Sequence, residues 1–164
     1  MVSTHVLSGA LFGYVARNVP VSFSIGVLSH LALDALPHWG DGRPIEEVMH
    51  IAVPDGLLGA TTMAVVTLTT QRERRARVLA GMVGAALLDL DKPGRVFFGS
   101  SPFPRVVDDL HKRVQREAPH RMPQELLVGA ALMVLVGVIT RVRGMSAPGR
   151  GVGAASDLDE RHSP

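Results

Sequence analysis

Apolar residues in this chain recur at helical spacing along almost its whole length. Long runs rich in Ala and Leu are separated by Gly and Pro, and few segments carry the features of strands. The pattern therefore predicts an all-α protein, a helical bundle of about five to six helices.

Gly and Pro residues indicate where the predicted helices begin and end. The first two are expected at about 3–17 and 20–36, because Pro37 disfavours helical geometry in the residue before it. A short helix with a break at Pro54 precedes an apolar helix that ends near Thr70, and the charged run 71–77 is a turn or a helix end. A further apolar helix is expected to stop at 92–94, where Pro and Gly follow Lys. An amphipathic helix is predicted at 105–120, and a last apolar helix follows Pro123.

These helices predict a single domain over residues 1–143. From 144 to 164 the chain is Gly, Ala, Ser, Pro and scattered charge, a composition that builds no core, so a disordered tail is expected there. The first 18 residues lack a basic leader and a small-residue cleavage pattern, so they are interpreted as part of the mature domain.

Composition brings a membrane into consideration. The chain is 46% hydrophobic and only 4% aromatic, and its mean hydropathy is +0.22. The apolar runs fall slightly short of the roughly 20 residues that a span needs, which favours buried helices. Arginines at 72–77 and after the last apolar helix instead resemble the cytoplasmic flanks of spans. We expect integral or peripheral membrane association, with a soluble bundle as an alternative.

Charge and cysteine content limit the partners and metal ligands that the chain can have. The net charge is +2 and aromatic residues are scarce, so nucleic acid is not an expected partner. The absence of cysteine means that any bound metal must sit on His, Asp or Glu. Neither a phosphate-binding glycine loop nor a nucleophile elbow is present in the sequence.

The segment GVLSHLALDALPHWG, residues 26–40, carries the main candidate site. Positions four apart lie side by side on a helix, so His30 and Asp34 share one face with Ser22 and Gly26. An unpaired carboxylate in an apolar site is costly, so that face needs a polar partner. A metal ion shared by His30 and Asp34 is one solution, and a structural hydrogen-bonded pair is the other.

Four more residues are candidate ligands: His5, His38, Asp55 and Asp89. His38 follows Pro37, so it can join the site only if the turn folds back over the helix face. Asp89 lies in an apolar run at the negative end of a helix, where a cation is a natural partner.

Each remaining candidate has a plain structural alternative. Asp55 is also suited to complement a helix N-terminus, and Asp91 to pair with Lys92 or Arg95 in solvent. His111 and His120 are expected on the solvated face of the amphipathic helix. Imidazoles combined with carboxylates suit zinc or another borderline divalent ion.

The segment GVLSHLALDALPHWG resembles the Gly-x-x-x-His-x-x-x-Asp-x-x-x-His segment of the zinc-dependent phospholipase C superfamily. Together with THVLSG near the start and DLDKP, it is also similar to small bacterial inner-membrane proteins described as metal-dependent hydrolases. The resemblance implies that His30, Asp34 and His5 are metal ligands, that Asp89 or Asp91 supplies the acidic ligand, and that His38 holds the further histidine position.

The leading expectation is therefore a zinc-dependent hydrolase of phosphoesters or phospholipid-like substrates in the bacterial inner membrane. The alternative is a non-enzymatic integral membrane protein whose His and Asp residues form a structural or degenerate site, with interhelix hydrogen bonds.

Overall fold

The computed structural model describes residues 1–40 and 42–145, and this part of the chain is all-α, as predicted. Its seven helices are α1 (Val2–Val15), α2 (Val19–Ala35), α3 (Met49–Thr69), α4 (Arg72–Ala86), α5 (Asp91–Phe98), α6 (Arg105–Val114) and α7 (Met122–Met145). Short 3₁₀ turns at Ile45–Val48, Leu88–Leu90 and Pro119–Arg121 precede α3, α5 and α7. Most of the tail predicted for 144–164 lies outside the described residues.

Four local predictions were wrong. The amphipathic helix expected at 105–120 ends at Val114, because the following residues pair with the turn after α2. The helix does not break at Pro54, the sixth residue of α3, where proline removes a single hydrogen bond. The charged run at 71–77 is the start of α4. Residues 92–94 do not end a helix, because Pro93 occupies the first turn of α5, where a missing N–H leaves no bond unmade.

α1 lies at the centre of the bundle. It packs against α2, α3, α4 and α7. Its Val6, Leu7, Ala10 and Tyr14 are buried in the main apolar cluster, which also receives side chains from α3, α4 and α7. At the end of α1, the Tyr14 hydroxyl lies 2.6 Å from the Thr70 hydroxyl and 2.7 Å from that of Thr140. Packing and these contacts hold α1 between its neighbours.

α1, α2 and α4 meet at a crossing of three glycines. A Cβ added to Gly9 would lie 2.3 Å from the Gly81 carbonyl oxygen, and one added to Gly26 would lie 2.2 Å from the same atom. Only glycine allows backbones to approach this closely. One turn away, on the same side of the crossing, lie His5 of α1, His30 of α2 and Ala85 of α4. The crossing therefore brings the predicted site residues together.

α3 and α7 expose most of their apolar surface. Ile45–Thr69 and Pro119–Val142 are each long and apolar enough to cross a membrane, and only 22% and 11% of their most apolar stretches are buried. The exposed side chains include Leu57, Leu68, Leu127 and Val134. A core helix of a soluble protein would bury far more of this surface.

Substitution at the crossing tests its importance. Gly81→Ala places a methyl group against the backbone of Gly9, and overpacking of this kind costs roughly 1–3 kcal/mol. We expect the melting temperature of the full chain in detergent, followed by circular dichroism, to fall by several degrees. Gly137→Ala in α7 is the control, because its new methyl group meets no atom within 4 Å. Equal melting temperatures for the two variants would contradict the tight crossing.

Candidate metal centre

The Asp34 carboxylate is the hub of a buried cluster of histidines. Its Oδ1 lies 3.2 Å from His5 Nε2 and 3.8 Å from His38 Nε2. Its Oδ2 lies 3.1 Å from Nε2 of both His30 and His111. Four histidines from three helices and one turn thus face a single carboxylate, and His30 and Asp34 are almost fully buried.

His30 presents an unprotonated nitrogen to this cluster in its neutral form. Its Nδ1 donates to the Ala85 carbonyl at 2.7 Å, since a carbonyl oxygen can only accept. The other nitrogen, Nε2, then carries a lone pair that faces both Asp34 Oδ2 and His111 Nε2, the latter at 2.9 Å. A proton or a metal ion must lie between these atoms, because otherwise lone pairs would face one another.

The three atoms have the spacing of metal ligands. His30 Nε2, His111 Nε2 and Asp34 Oδ2 form a triangle with edges of 2.9, 3.1 and 3.1 Å. Ligand atoms on a tetrahedral zinc ion with bonds of about 2.0–2.1 Å stand roughly 3.3 Å apart. Small shifts of the side chains would therefore let all three bind one ion. The buried His30, Asp34 and His111 could hold a metal ion.

A second group of donors adjoins the first. One ligand atom each from His5, His30 and Asp89 lies within 4.8 Å of the others. The His5 and His30 rings stack with centroids 4.1 Å apart, which places the first helix directly against the second at the site. His5, His30 and Asp34 are thus brought together as the sequence predicts, with Asp89 beside them.

Asp89 also has a cationic partner. It forms an ion pair with Lys92, one turn later. Burial opposes the charged form of both groups, yet their attraction prevails: the pKa of the Asp89 carboxyl lies well below its usual value, and the pKa of Lys92 lies above its own. Asp89 is therefore a carboxylate whether or not a metal is bound.

His38 returns to the site across the turn after α2. The His38 N–H donates to the Arg116 carbonyl at 3.2 Å, and the Ala118 N–H donates to the His38 carbonyl at 2.9 Å. The His38 Nδ1 donates to the Leu36 carbonyl at 3.0 Å, which leaves Nε2 directed at Asp34. The turn does fold back over the helix face, the condition on which a role for His38 depends.

Asp55 is engaged elsewhere. Its Oδ2 accepts from the Val2 N–H at 2.6 Å, and its Oδ1 accepts from the N–H and hydroxyl of Ser3. A carboxylate at this position satisfies backbone donors that a helix start leaves unpaired. Asp55 therefore caps α1, one turn before His5, and the groups of metal-competent donors found in the described residues do not include it.

His111 was wrongly predicted to be solvated. It lies at the edge of the charged side of α6, but only 3% of the residue is exposed because this edge faces α2. Asp91 Oδ2 lies 3.9 Å from its Nδ1, on the side of the ring away from the triangle. His120 is exposed as predicted.

A cavity of about 680 Å³ opens beside the cluster. Its wall includes five of the six predicted ligands, which are His5, Asp34, His38, Asp55 and Asp89. Lys92 and Arg95 also line the wall, where they are paired with Asp89 and Asp108, and most of the remaining lining is apolar. The cavity can therefore accept a ligand with an apolar body beside the cluster.

No protein-family model matches the chain, and no curated protein or solved structure is significantly similar to it.

Metal content distinguishes the buried His111 from the exposed His120, which were both predicted to be solvated. We expect His111→Ala to lose most of the zinc that the wild-type protein retains after loading and dialysis, because it removes one corner of the triangle. His120→Ala should retain that zinc, since His120 is exposed on the loop before α7. Inductively coupled plasma mass spectrometry gives the metal per chain. Full zinc content in His111→Ala would contradict the assignment.

Two conservative carboxylate variants distinguish a ligand from a helix cap. Asp34→Asn should abolish zinc retention, because an amide is a poor ligand and its NH₂ would face histidine. Asp55→Asn keeps an oxygen that can cap α1, so the same assay should find wild-type zinc. Loss of a cap costs about 1 kcal/mol, so Asp55→Ala should lower the melting temperature without removing the metal. Zinc loss in Asp55→Asn would place Asp55 among the ligands.

Proposed function

We propose that this protein is a divalent-metal-dependent hydrolase, with zinc as the metal, that acts on phosphoesters at a membrane. The observation that carries the proposal is the triangle of His30, His111 and Asp34, which stands beside a cavity with a largely apolar wall. The resemblance of residues 26–40 to the zinc-dependent phospholipase C segment supports the same reaction class.

The metal would be held by His30, His111 and Asp34, with His5 and Asp89 as neighbouring donors. When bound, such an ion supplies Lewis acidity toward a phosphoryl oxygen and makes water an effective nucleophile near neutral pH. The donor set fits, because neutral imidazole and carboxylate are ligands that zinc prefers when no thiolate is present.

The chain's own side chains would bind and orient the substrate. Lys92 and Arg95 line the cavity, each in an ion pair with a carboxylate, Asp89 and Asp108 respectively. Apolar residues of the wall would receive the rest of the substrate and exclude water from it; they include Ile45, Met49, Val53 and Val96. His38, whose Nε2 faces the cluster, is placed to accept or return a proton.

A membrane setting is supported by the surface of the bundle. α3 and α7 are long and apolar enough to cross a bilayer, and their apolar side chains are mostly exposed. In lipid this surface would be solvated by acyl chains, whereas in water it would be a large aggregation-prone patch. The resemblance to inner-membrane hydrolases favours the bacterial inner membrane.

A structural site is the second candidate, and one observation favours it. The four histidines already surround Asp34 at hydrogen-bonding or ion-pair distance, so one added proton could neutralise the carboxylate without a metal. In that case the cluster would join α1, α2 and α6 as an interhelix network. Its signature is a melting temperature that does not change when a chelator is added.

Turnover tests the proposed hydrolase. The zinc-loaded full chain in detergent is assayed with bis(p-nitrophenyl) phosphate, with p-nitrophenyl phosphate and with mixed micelles of phosphatidylcholine. We expect phosphoester hydrolysis that a chelator abolishes and added zinc restores. His30→Ala should reduce the rate by at least two to three orders of magnitude, roughly the value of a lost electrostatic catalyst.

The matched control is His120→Ala, which should keep the wild-type rate. Stoichiometric zinc without hydrolysis of any of the three probes would contradict the enzyme and leave a structural metal site. Absence of zinc, together with a melting temperature insensitive to chelation, would leave the hydrogen-bonded network alone.

A further inference from the structure

α6 exposes two apolar side chains among charged ones. His111 is buried in the cluster, and Asp108 faces the protein, where Arg95 and Ser101 each donate to it at 2.8 Å. Val106 and Leu110, one turn apart on the other side, are 73% and 51% exposed. They add apolar surface to a side of the helix that is otherwise charged.

α5 exposes two consecutive aromatic side chains at its end. Phe97 is 71% exposed and Phe98 is 84% exposed, just before α5 ends at the left-handed Gly99. The Arg95–Asp108 ion pair links α5 to α6, and we refer to the two helices and the loop between them as the α5–α6 unit. We call Phe97, Phe98, Val106 and Leu110 the apolar tip of this unit.

Basic residues accompany the apolar tip. The exposed positions of α6 include Arg105, Lys112 and Arg113 but only one acidic residue, Asp109. Apolar side chains bordered by an excess of Arg and Lys are typical of helices that lie in the interface of an anionic bilayer. The charge complements lipid phosphate, and it would be of no use against a purely apolar protein face.

The α5–α6 unit also lies where it can reach the interface between hydrocarbon and headgroups. α6 contacts the C-terminal end of α2 through His111 and Asp34, and α5 packs against the turn that precedes α3. If α3 crosses a bilayer, α5 and α6 therefore lie at one end of the span, where hydrocarbon meets headgroups. Phe97 also lines the cavity, so the cavity opens beside the apolar tip.

We propose that the α5–α6 unit is an interfacial anchor that binds the phosphate–acyl boundary of the bilayer. Its apolar tip inserts among the upper acyl chains, and Arg113 binds lipid phosphate. The cavity mouth is thereby held at headgroup depth. This inference rests on the membrane setting proposed above and not on metal binding or hydrolysis.

Site-directed spin labelling tests the anchor cleanly, because the chain has no cysteine of its own. Single substitutions Phe98→Cys, Val106→Cys and Leu110→Cys are labelled with a nitroxide in the full chain. The matched control is Lys112→Cys, exposed on the same helix but about 160° around the axis from Leu110. Labelled proteins are reconstituted into phosphatidylcholine vesicles with phosphatidylglycerol.

We expect oxygen to broaden the signal several-fold more than a water-soluble nickel chelate does at 98, 106 and 110, with the reverse at 112. Omitting phosphatidylglycerol should make the three labels shallower, and unchanged depth would overturn the role of the basic residues. Chelate access at all four positions would overturn the anchor. Dipolar broadening between labels at 106 would show that a second copy of the chain covers this surface, and it would also overturn the anchor. Zinc measured in the same samples reports separately on the metal centre.

Discussion

The close approach of three helix backbones is the constraint on which the rest of the structure depends. Gly81 of α4 touches Gly9 of α1 and Gly26 of α2 at distances that leave no room for a side chain. One turn from that contact the helices have diverged only slightly, so His5 and His30 stack and the Ala85 carbonyl accepts from His30. Small residues at the crossing therefore set the spacing of the polar cluster, and a bundle with wider helix separation could not assemble it.

The sequence predicted the fold class and the part of the site that depends on a single helix. His30 and Asp34 share a face because four residues are nearly one turn, and this holds in any helix. His111 could not be found in the same way, because its own helix presents a charged side of the kind that normally faces water. It is buried because α6 lies across the end of α2, a tertiary arrangement that local periodicity does not encode. The helix break predicted at Pro54 and the helix end predicted at Pro93 were wrong for a related reason, because a proline near the start of a helix need not interrupt it.

The cluster also explains how a largely apolar bundle tolerates ionisable groups. Asp34 is surrounded by histidines and Asp89 is paired with Lys92, so neither carboxylate is left alone in an apolar setting. These groups gather at one end of the bundle, where the turn after α2 and the α5–α6 unit close over them. The same end carries the cavity and the exposed apolar tip. Metal binding, substrate access and contact with lipid headgroups would thus share one location.

The central claim is that one metal ion is bound by His30, His111 and Asp34. Its most direct test is a crystal of the zinc-loaded protein measured on both sides of the zinc absorption edge. The account predicts a single strong anomalous peak within about 2.0–2.2 Å of His30 Nε2, His111 Nε2 and an Asp34 carboxylate oxygen. An anomalous map with no peak at the cluster, in crystals where these three side chains are ordered, would contradict it.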